Sequence, residues 1–301
     1  LFGRKRPQRS ADTSEKSPET VNVQSRDVSV AESDTEMVTE NVYLGQEQYQ
    51  PKELQVSAAS LIGSRRNQQD SLCYTSLPDK GFLAVVCDGM GGLKKGEIAS
   101  HYIVEVLKQW FDETLFDGLE TMGIDMIEQN LIDLIRRINQ NLLLMSRRME
   151  ETKSMGSTLT LLFVEEHEFF VLNVGDSRTY WFDRDRKFVT TDHTLAELEL
   201  RAGHLTKEQA KKDPRRHILI QCVGVTKDIR IDCYKGRLNP GMEFLLCTDG
   251  FYGLLEEEEI YQVEASKEQI KEWVQKCFQK VKRRGELDNL SCVIVKVPNK
   301  K

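Results

Sequence analysis

The sequence predicts a domain of layered α and β elements, and three observations predict it. Apolar patterning begins near Leu54 and runs to Val297 without a second polar linker. Short β-type runs alternate with long helical ones inside that span. The hydrophobic content, 39% of 301 residues, is enough for a large buried core. Taken in order, residues 54–61, 72–76 and 82–87 read as strands, and a helix is expected from Gly96 through Trp110. A second helix shows Ile127, Leu131, Leu134, Ile138 and Leu142 on one face, a spacing of about 3.6 residues. Strands follow at 157–164, 169–174, 178–182 and 242–247. A third helix carries Ile270, Trp273, Val274, Cys277 and Val281 on one face, and residues 291–297 read as the last strand. These runs make one domain over 53–298.

Residues 1–52 are rich in Ser, Thr, Glu, Asp, Gln and Arg and lack a sustained apolar period. They offer too little surface to offset chain entropy and are expected to be a disordered polar linker. The chain opens with Leu1, Phe2, Arg4, Lys5, Arg6 and Arg9. Basic residues collect on the cytoplasmic side of membrane anchors, so a membrane is expected as a partner only if such an anchor preceded Leu1. A merely basic end fits equally well. No run of about eighteen apolar residues occurs.

The net charge of −6 argues against a nucleic-acid partner, because neutralising phosphates takes a clustered excess of Lys and Arg. Seven cysteines, an odd number without a Cys-x-x-Cys pair, read as reduced thiols of a cytoplasmic protein. The five histidines lack zinc spacing, and each is read as a surface or packing residue. There is no Gly-x-Ser-x-Gly elbow, and the Gly89, Gly91, Gly92 stretch lacks the Lys-Ser/Thr of a phosphate loop.

Aspartates follow strongly apolar runs at Asp88-Gly89, Asp176-Ser177 and Asp249-Gly250, each read as a strand end with a tight turn. One such ending is an ordinary turn. Three of them, with Asp70 and Asp288 beside other apolar segments, gather carboxylates that repel one another and are costly to desolvate. A hard divalent cation resolves that cost, and all-oxygen ligands favour Mg²⁺ or Mn²⁺ over zinc.

With those residues in view, the region from Leu54 to Val297 resembles the type 2C metal-dependent Ser/Thr protein phosphatases, in their bacterial form. The resemblance is carried in order by Gly63-Ser-Arg65-Arg-Asn-Gln-Gln69-Asp70-Ser, Val86-Cys-Asp88-Gly89-Met90-Gly91-Gly92, Gly156-Ser-Thr158-Leu, Val174-Gly-Asp176-Ser-Arg178, Thr191-Asp-His-Thr194, Thr248-Asp249-Gly250 and Asp288-Asn289. It implies an α+β fold, a four-layer α-β-β-α sandwich with two antiparallel sheets between helices. It also implies two core Mn²⁺ or Mg²⁺ ions, with a third position.

By the same resemblance Asp88 bridges two ions, Asp249 and Asp288 complete the first site, and the Gly89 carbonyl serves the second. Asp176 with Asp249 matches the third position. Arg65 matches the arginine that grips substrate phosphate, while Asp70, Thr158 and Asn289 support the ligands. Residues 195–223, with Arg215 and Arg216, fall where the family carries its flap. The reaction so implied is hydrolysis of phosphoserine and phosphothreonine in proteins by a metal-bridged hydroxide, without a phosphoenzyme. A monomer opposing a Ser/Thr kinase is expected.

Two residues depart from the pattern. Met90 stands where part of the family has His, so solvent or a metal-bound water must protonate the leaving alkoxide. Gln69 stands in place of a Glu ligand to the second ion and removes one negative charge from that site. Gln69 favours the alternative, a catalytically weak or inactive relative acting as a phosphoprotein-binding regulatory module. A scaffold holding Ca²⁺ structurally is the third reading.

Overall fold

The computed structural model describes residues 54–298 apart from 78–80, 92–94, 119–121, 149–154, 166, 184–185, 261–266 and 286, and it does not describe the side chains of 114–118 and 267–271. The linker expected over 1–52 lies outside the described residues, as does the side chain of Ile270.

The described strands are, in chain order, β1 (Gln55–Leu61), β2 (Asp70–Leu77), β3 (Gly81–Met90), β4 (Gly156–Ser157), β5 (Leu159–Glu165), β6 (Glu168–Val174), β7 (Arg178–Asp183), β8 (Arg186–Val189), β9 (Asp232–Arg237), β10 (Glu243–Cys247) and β11 (Leu290–Lys296). They form two antiparallel sheets, one ordered β1-β11-β10-β7-β8 and the other β2-β3-β5-β6-β9, with β4 paired to β3.

Period-two alternation decides which residues face which layer. In β3, Phe82, Ala84 and Val86 point into the cluster between the sheets, which also holds Phe169, Phe244, Leu246, Val293 and Val295. Their alternates Leu83, Val85 and Cys87 point the other way, against helices α1 (Lys95–Gly118) and α2 (Ile124–Arg148). Across the other sheet, Leu245, Cys247, Cys292 and Ile294 meet Trp273, Val274, Cys277 and Val281. The sandwich is therefore α-β-β-α, as the resemblance implies. Phe163 stacks on Phe170 at 5.1 Å and meets Phe111 edge-on at 6.3 Å. Each such buried ring contributes about 1.5–3 kcal/mol by removing apolar surface from water.

Four shorter helices, α3 (Leu195–Arg201), α4 (Lys207–Lys212), α5 (Asp249–Tyr252) and α6 (Glu257–Ile260), precede α7 (Lys267–Arg283). No described helix is long and apolar enough to cross a membrane. All seven cysteines are free thiols.

Several element boundaries differ from the sequence reading. β3 does not end at Cys87 but runs through Asp88 and Gly89 to Met90, because β4 extends the ladder by pairing Gly89 with Ser157 and Met90 with Gly156. The strand expected over 157–164 is broken at Thr158. Asp249-Gly250 opens α5 behind Thr248 rather than forming a turn. β8 and β9 carry little apolar signal because they are sheet edges, where polar residues are tolerated.

Candidate metal centre

Antiparallel pairing gathers the aspartates at one end of the sandwich. Asp70 at the start of β2 pairs with Asp88 near the end of β3. The start of β5 pairs with the end of β6, which leads into Asp176. The end of β10, before Asp249, pairs with the start of β11, just after Asp288. Carboxylates far apart in sequence thus converge by ladder geometry within each sheet and by the packing of one sheet on the other.

Each acid is held by a distinct arrangement. Asp70 is buried and accepts a hydrogen bond from Thr248 Oγ1 at 3.0 Å, which ties one sheet to the other. Burial, with the charges of Asp249 and Asp288, pushes its carboxyl up to about 8. The Asp88 backbone N–H donates to Thr158 Oγ1 at 2.9 Å, and the Asp88 carbonyl accepts from Ser157 Oγ at 2.8 Å and from the Thr158 N–H at 2.9 Å. Its carboxyl is raised well above the usual range, first by burial and then by Asp70, Asp249, Asp176 and Asp288.

Asp176 follows Gly175, whose φ is +102° and where an added Cβ would lie 2.7 Å from the Thr158 side chain, so that the position needs glycine. That turn is clamped by buried His193, which donates its backbone N–H to the Gly175 carbonyl at 2.9 Å and accepts the Gly175 N–H on Nδ1 at 3.3 Å. Asp232 lies 3.2 Å from the other ring nitrogen. The Asp176 carboxyl is also raised, by burial and then by Asp249.

The supporting residues act on the loop between β1 and β2. Asn289 donates from Nδ2 to the carbonyls of Ile62 (2.8 Å) and Asn67 (3.1 Å), and its Oδ1 accepts from the Gln69 N–H at 2.8 Å. The loop so stapled presents Arg65, whose Nη2 donates to Asp288 Oδ2 at 2.6 Å. Arg65, Arg66, Asn67, Gln69 and Gly91 line an open pocket of about 250 Å³. The Gln69 carbonyl accepts from the Gly89 N–H (3.0 Å) and Ser100 Oγ (2.6 Å), while its side-chain Nε2 lies 3.4 Å from the Gly91 carbonyl. Gly96 brings α1 so close that a Cβ there would lie 2.5 Å from the Gly89 carbonyl oxygen.

These residues fit a hard divalent cation. The donors are carboxylate and carbonyl oxygens, and Asp249 Oδ1 is buried with no hydrogen-bond partner. Three buried carboxylates, Asp70, Asp88 and Asp176, whose ionised forms are disfavoured first by burial and then by neighbouring carboxylates, become compatible once a cation shares them.

The set expected at the first site is brought together only in part. Asp249 and Asp288 both act electrostatically on Asp88. Among the described residues, however, the metal-ligating atoms that all fall within 4.8 Å of one another belong to Asp176, Asp249 and His217. One Asp288 oxygen is turned to Arg65 instead. Sequence reasoning missed His217, because its contact with Asp249 is made by the 3-10 turn Pro214–His217 folding over from the flap. No linear spacing signals that contact. Arg178, inside one of the motifs, is a structural staple: it pairs with both oxygens of Asp192 at 2.7 Å and lies 4.0 Å over the Tyr252 ring.

The family model described as protein phosphatase 2C matches residues 59–293. The chain belongs to the protein phosphatase 2C family. Similar proteins include the serine/threonine phosphatase Stp of Listeria innocua, 29% identical over 232 residues that cover 77% of this chain and 90% of that one. Protein phosphatase PhpP of Streptococcus pneumoniae is 25% identical over 80% of this chain and 97% of its own. Among solved structures, the serine/threonine phosphatase Stp1 from Staphylococcus aureus superposes with a TM-score of 0.74 at 26% identity, covering 85% of this chain and 99% of that one. The protein phosphatase 2C fold is thus present over the whole described sandwich.

Proposed function

We propose that the chain hydrolyses phosphoserine and phosphothreonine esters in proteins, using Mn²⁺ or Mg²⁺ held by the aspartate end of the sandwich. The observation that carries this reading is the convergence of Asp70, Asp88, Asp176, Asp249 and Asp288 beside Arg65, in a chain of the protein phosphatase 2C family. Asp88, Asp249 and Asp288 are the carboxylates to hold the core cations, with the Gly89 carbonyl and Gln69 on the side nearer α1. Bound there, the cations supply an acidified water and positive charge against the phosphoryl oxygens. Arg65 binds the phosphate with its planar fork and orients it for in-line attack. To do so it exchanges Asp288 for substrate, and the Asp288 oxygen it gives up turns to a cation. Met90 carries no proton, so solvent protonates the departing serine or threonine alkoxide. The free thiols suit a reducing, cytoplasmic setting, and the natural counterpart of such an activity is a Ser/Thr kinase.

The test is hydrolysis of p-nitrophenyl phosphate and of a phosphothreonine peptide with and without Mn²⁺. Activity is expected only with the ion and should vanish reversibly in excess EDTA. Turnover that persists under chelation would overturn the two-metal reading.

The weak or inactive relative is not favoured, because Arg65 and all the core aspartates are present. Gln69 still bears on ion affinity, since removing an anionic oxygen weakens binding of a hard cation. Changing Gln69→Glu is expected to lower the half-saturating Mn²⁺ concentration about tenfold, equivalent to ~1.4 kcal/mol. Overlapping Mn²⁺ activation curves for the two proteins would mean that residue 69 is not a ligand.

A further inference from the structure

His217 stands in a segment whose backbone is anchored on both sides. Before it, Asp213 accepts the Arg215 N–H at 2.8 Å on a side-chain oxygen and pairs with the Arg215 guanidinium. After it, the Leu195 N–H donates to the Ile218 carbonyl at 2.9 Å, Thr194 and Leu219 form a β-bridge, and the Ile220 N–H donates to the His193 carbonyl at 2.8 Å. His193 in turn grips Gly175, the neighbour of Asp176. The same short set of bonds therefore fixes the turn bearing Asp176 and the backbone that follows His217.

From that backbone the His217 ring brings Nδ1 to 3.6 Å from Asp249 Oδ2. That is too long for a good hydrogen bond. It suits two ligands of one ion, since donors about 2.1 Å from a shared cation lie roughly 3–4 Å apart. Two further observations point to a ligand at this place. Asp176 is 5% exposed, and its carboxylate offers an oxygen within 4.8 Å of ligand atoms of both His217 and Asp249. Asp249 Oδ1 is buried and has no hydrogen-bond partner.

We propose that His217 is a third protein ligand of a cation position shared with Asp176 and Asp249, so that a transition-metal ion, and not Mg²⁺, latches the flap onto the metal centre. This rests on the phosphatase reading only in taking the aspartate end to bind cations. An imidazole nitrogen beside two carboxylates favours Mn²⁺, Fe²⁺, Co²⁺ or Zn²⁺, whereas Mg²⁺ keeps to oxygen and retains its waters. Two ligands belong to the sandwich and one to the flap, so occupancy ties segment 195–223 down and the identity of the ion decides whether it is tied. The side chain is more than half exposed, which leaves the fold indifferent to its replacement.

The test uses the intact chain and no turnover. Co²⁺ is titrated by its visible absorption, and amide hydrogen exchange of 195–223 is followed with Mn²⁺ or Mg²⁺, for the wild type and for His217→Ala. The wild type is expected to show a Co²⁺ band whose dissociation constant rises tenfold or more in the variant. Mn²⁺ should slow exchange in the flap of the wild type alone, and Mg²⁺ should slow it in neither protein. Identical Co²⁺ spectra and identical Mn²⁺ protection in the two proteins would overturn the proposal, as would equal protection by Mg²⁺. Parallel p-nitrophenyl phosphate assays keep the two readings apart. Hydrolysis with unaltered Co²⁺ binding in the variant sinks only the latch, whereas a wild type that binds no cation sinks the phosphatase reading as well.

Discussion

Replacing Asp88 by Asn is expected to lower the Mn²⁺-dependent rate by about a thousandfold or more, ~4 kcal/mol of barrier, with no loss of fold. Asn keeps the shape of the side chain but removes the charge that, on the proposed reading, the core cations share. Burial and four neighbouring carboxylates already disfavour the ionised form of Asp88. The metal-free variant should therefore melt no lower than the wild type, and higher if repulsion among the aspartates dominates. A drop in rate together with a rise in metal-free melting temperature is a signature that simple misfolding cannot produce. Asp249→Asn should lose activity similarly, since that residue carries both the unpartnered Oδ1 and the oxygen facing His217. Wild-type turnover by either variant at saturating Mn²⁺ would refute the metal assignment.

Changing Arg65→Ala is expected to cut kcat/KM for a phosphopeptide by about a hundredfold, ~2.7 kcal/mol, while the melting temperature hardly moves. The Arg65–Asp288 pair is half exposed, with side-chain exposures of 53% and 30%, and such pairs contribute little to stability. On the proposed reading its worth lies in gripping the substrate phosphate once Asp288 is given up. Arg65→Lys keeps the charge without the planar fork and should recover only a small part of the loss. Steady-state kinetics decide the matter: an unchanged KM and kcat in Arg65→Ala would mean that phosphate is bound elsewhere. The Mn²⁺ requirement of the same variant provides an internal control, because freeing Asp288 should leave ion binding intact or tighter.

The parts of this molecule that were legible in its sequence are those written locally. The apolar runs Phe82–Cys87 and Ser291–Val297 mark strands, and the helical spacing of Ile127 to Leu142 marks the buried side of its helix. Both runs are strands and the helical face is buried, while the structure adds which strand residues face which layer. The aspartates were legible because each follows an apolar run, and an acid at such a place is costly unless something shares it. The extension of β3 through Asp88 was not legible, since it depends on a two-residue partner some seventy residues away. His217 was silent for the same reason: its neighbour Asp249 is chosen by how the flap folds back and by no repeat or spacing. Edge strands β8 and β9 gave little signal because an edge is free to be polar.

The position of the last strand has a further consequence, for the order in which the protein becomes itself on the ribosome. β11 is not at a margin but between β1 and β10, and the residue just ahead of it, Asn289, stitches the loop at 62–69 from 220 or more residues away. Until residues 288–296 have left the exit tunnel, the first sheet lacks the strand that joins β1 to β10, Arg65 has no Asp288, and the loop that presents it has no staple. A nascent chain thus carries most of its helices and the whole of the other sheet before it owns a reaction centre. Closing contacts across so long a span is slow, so the loop that presents Arg65 is set only after β11 has been made, and a chain terminated before that strand is born without the arrangement.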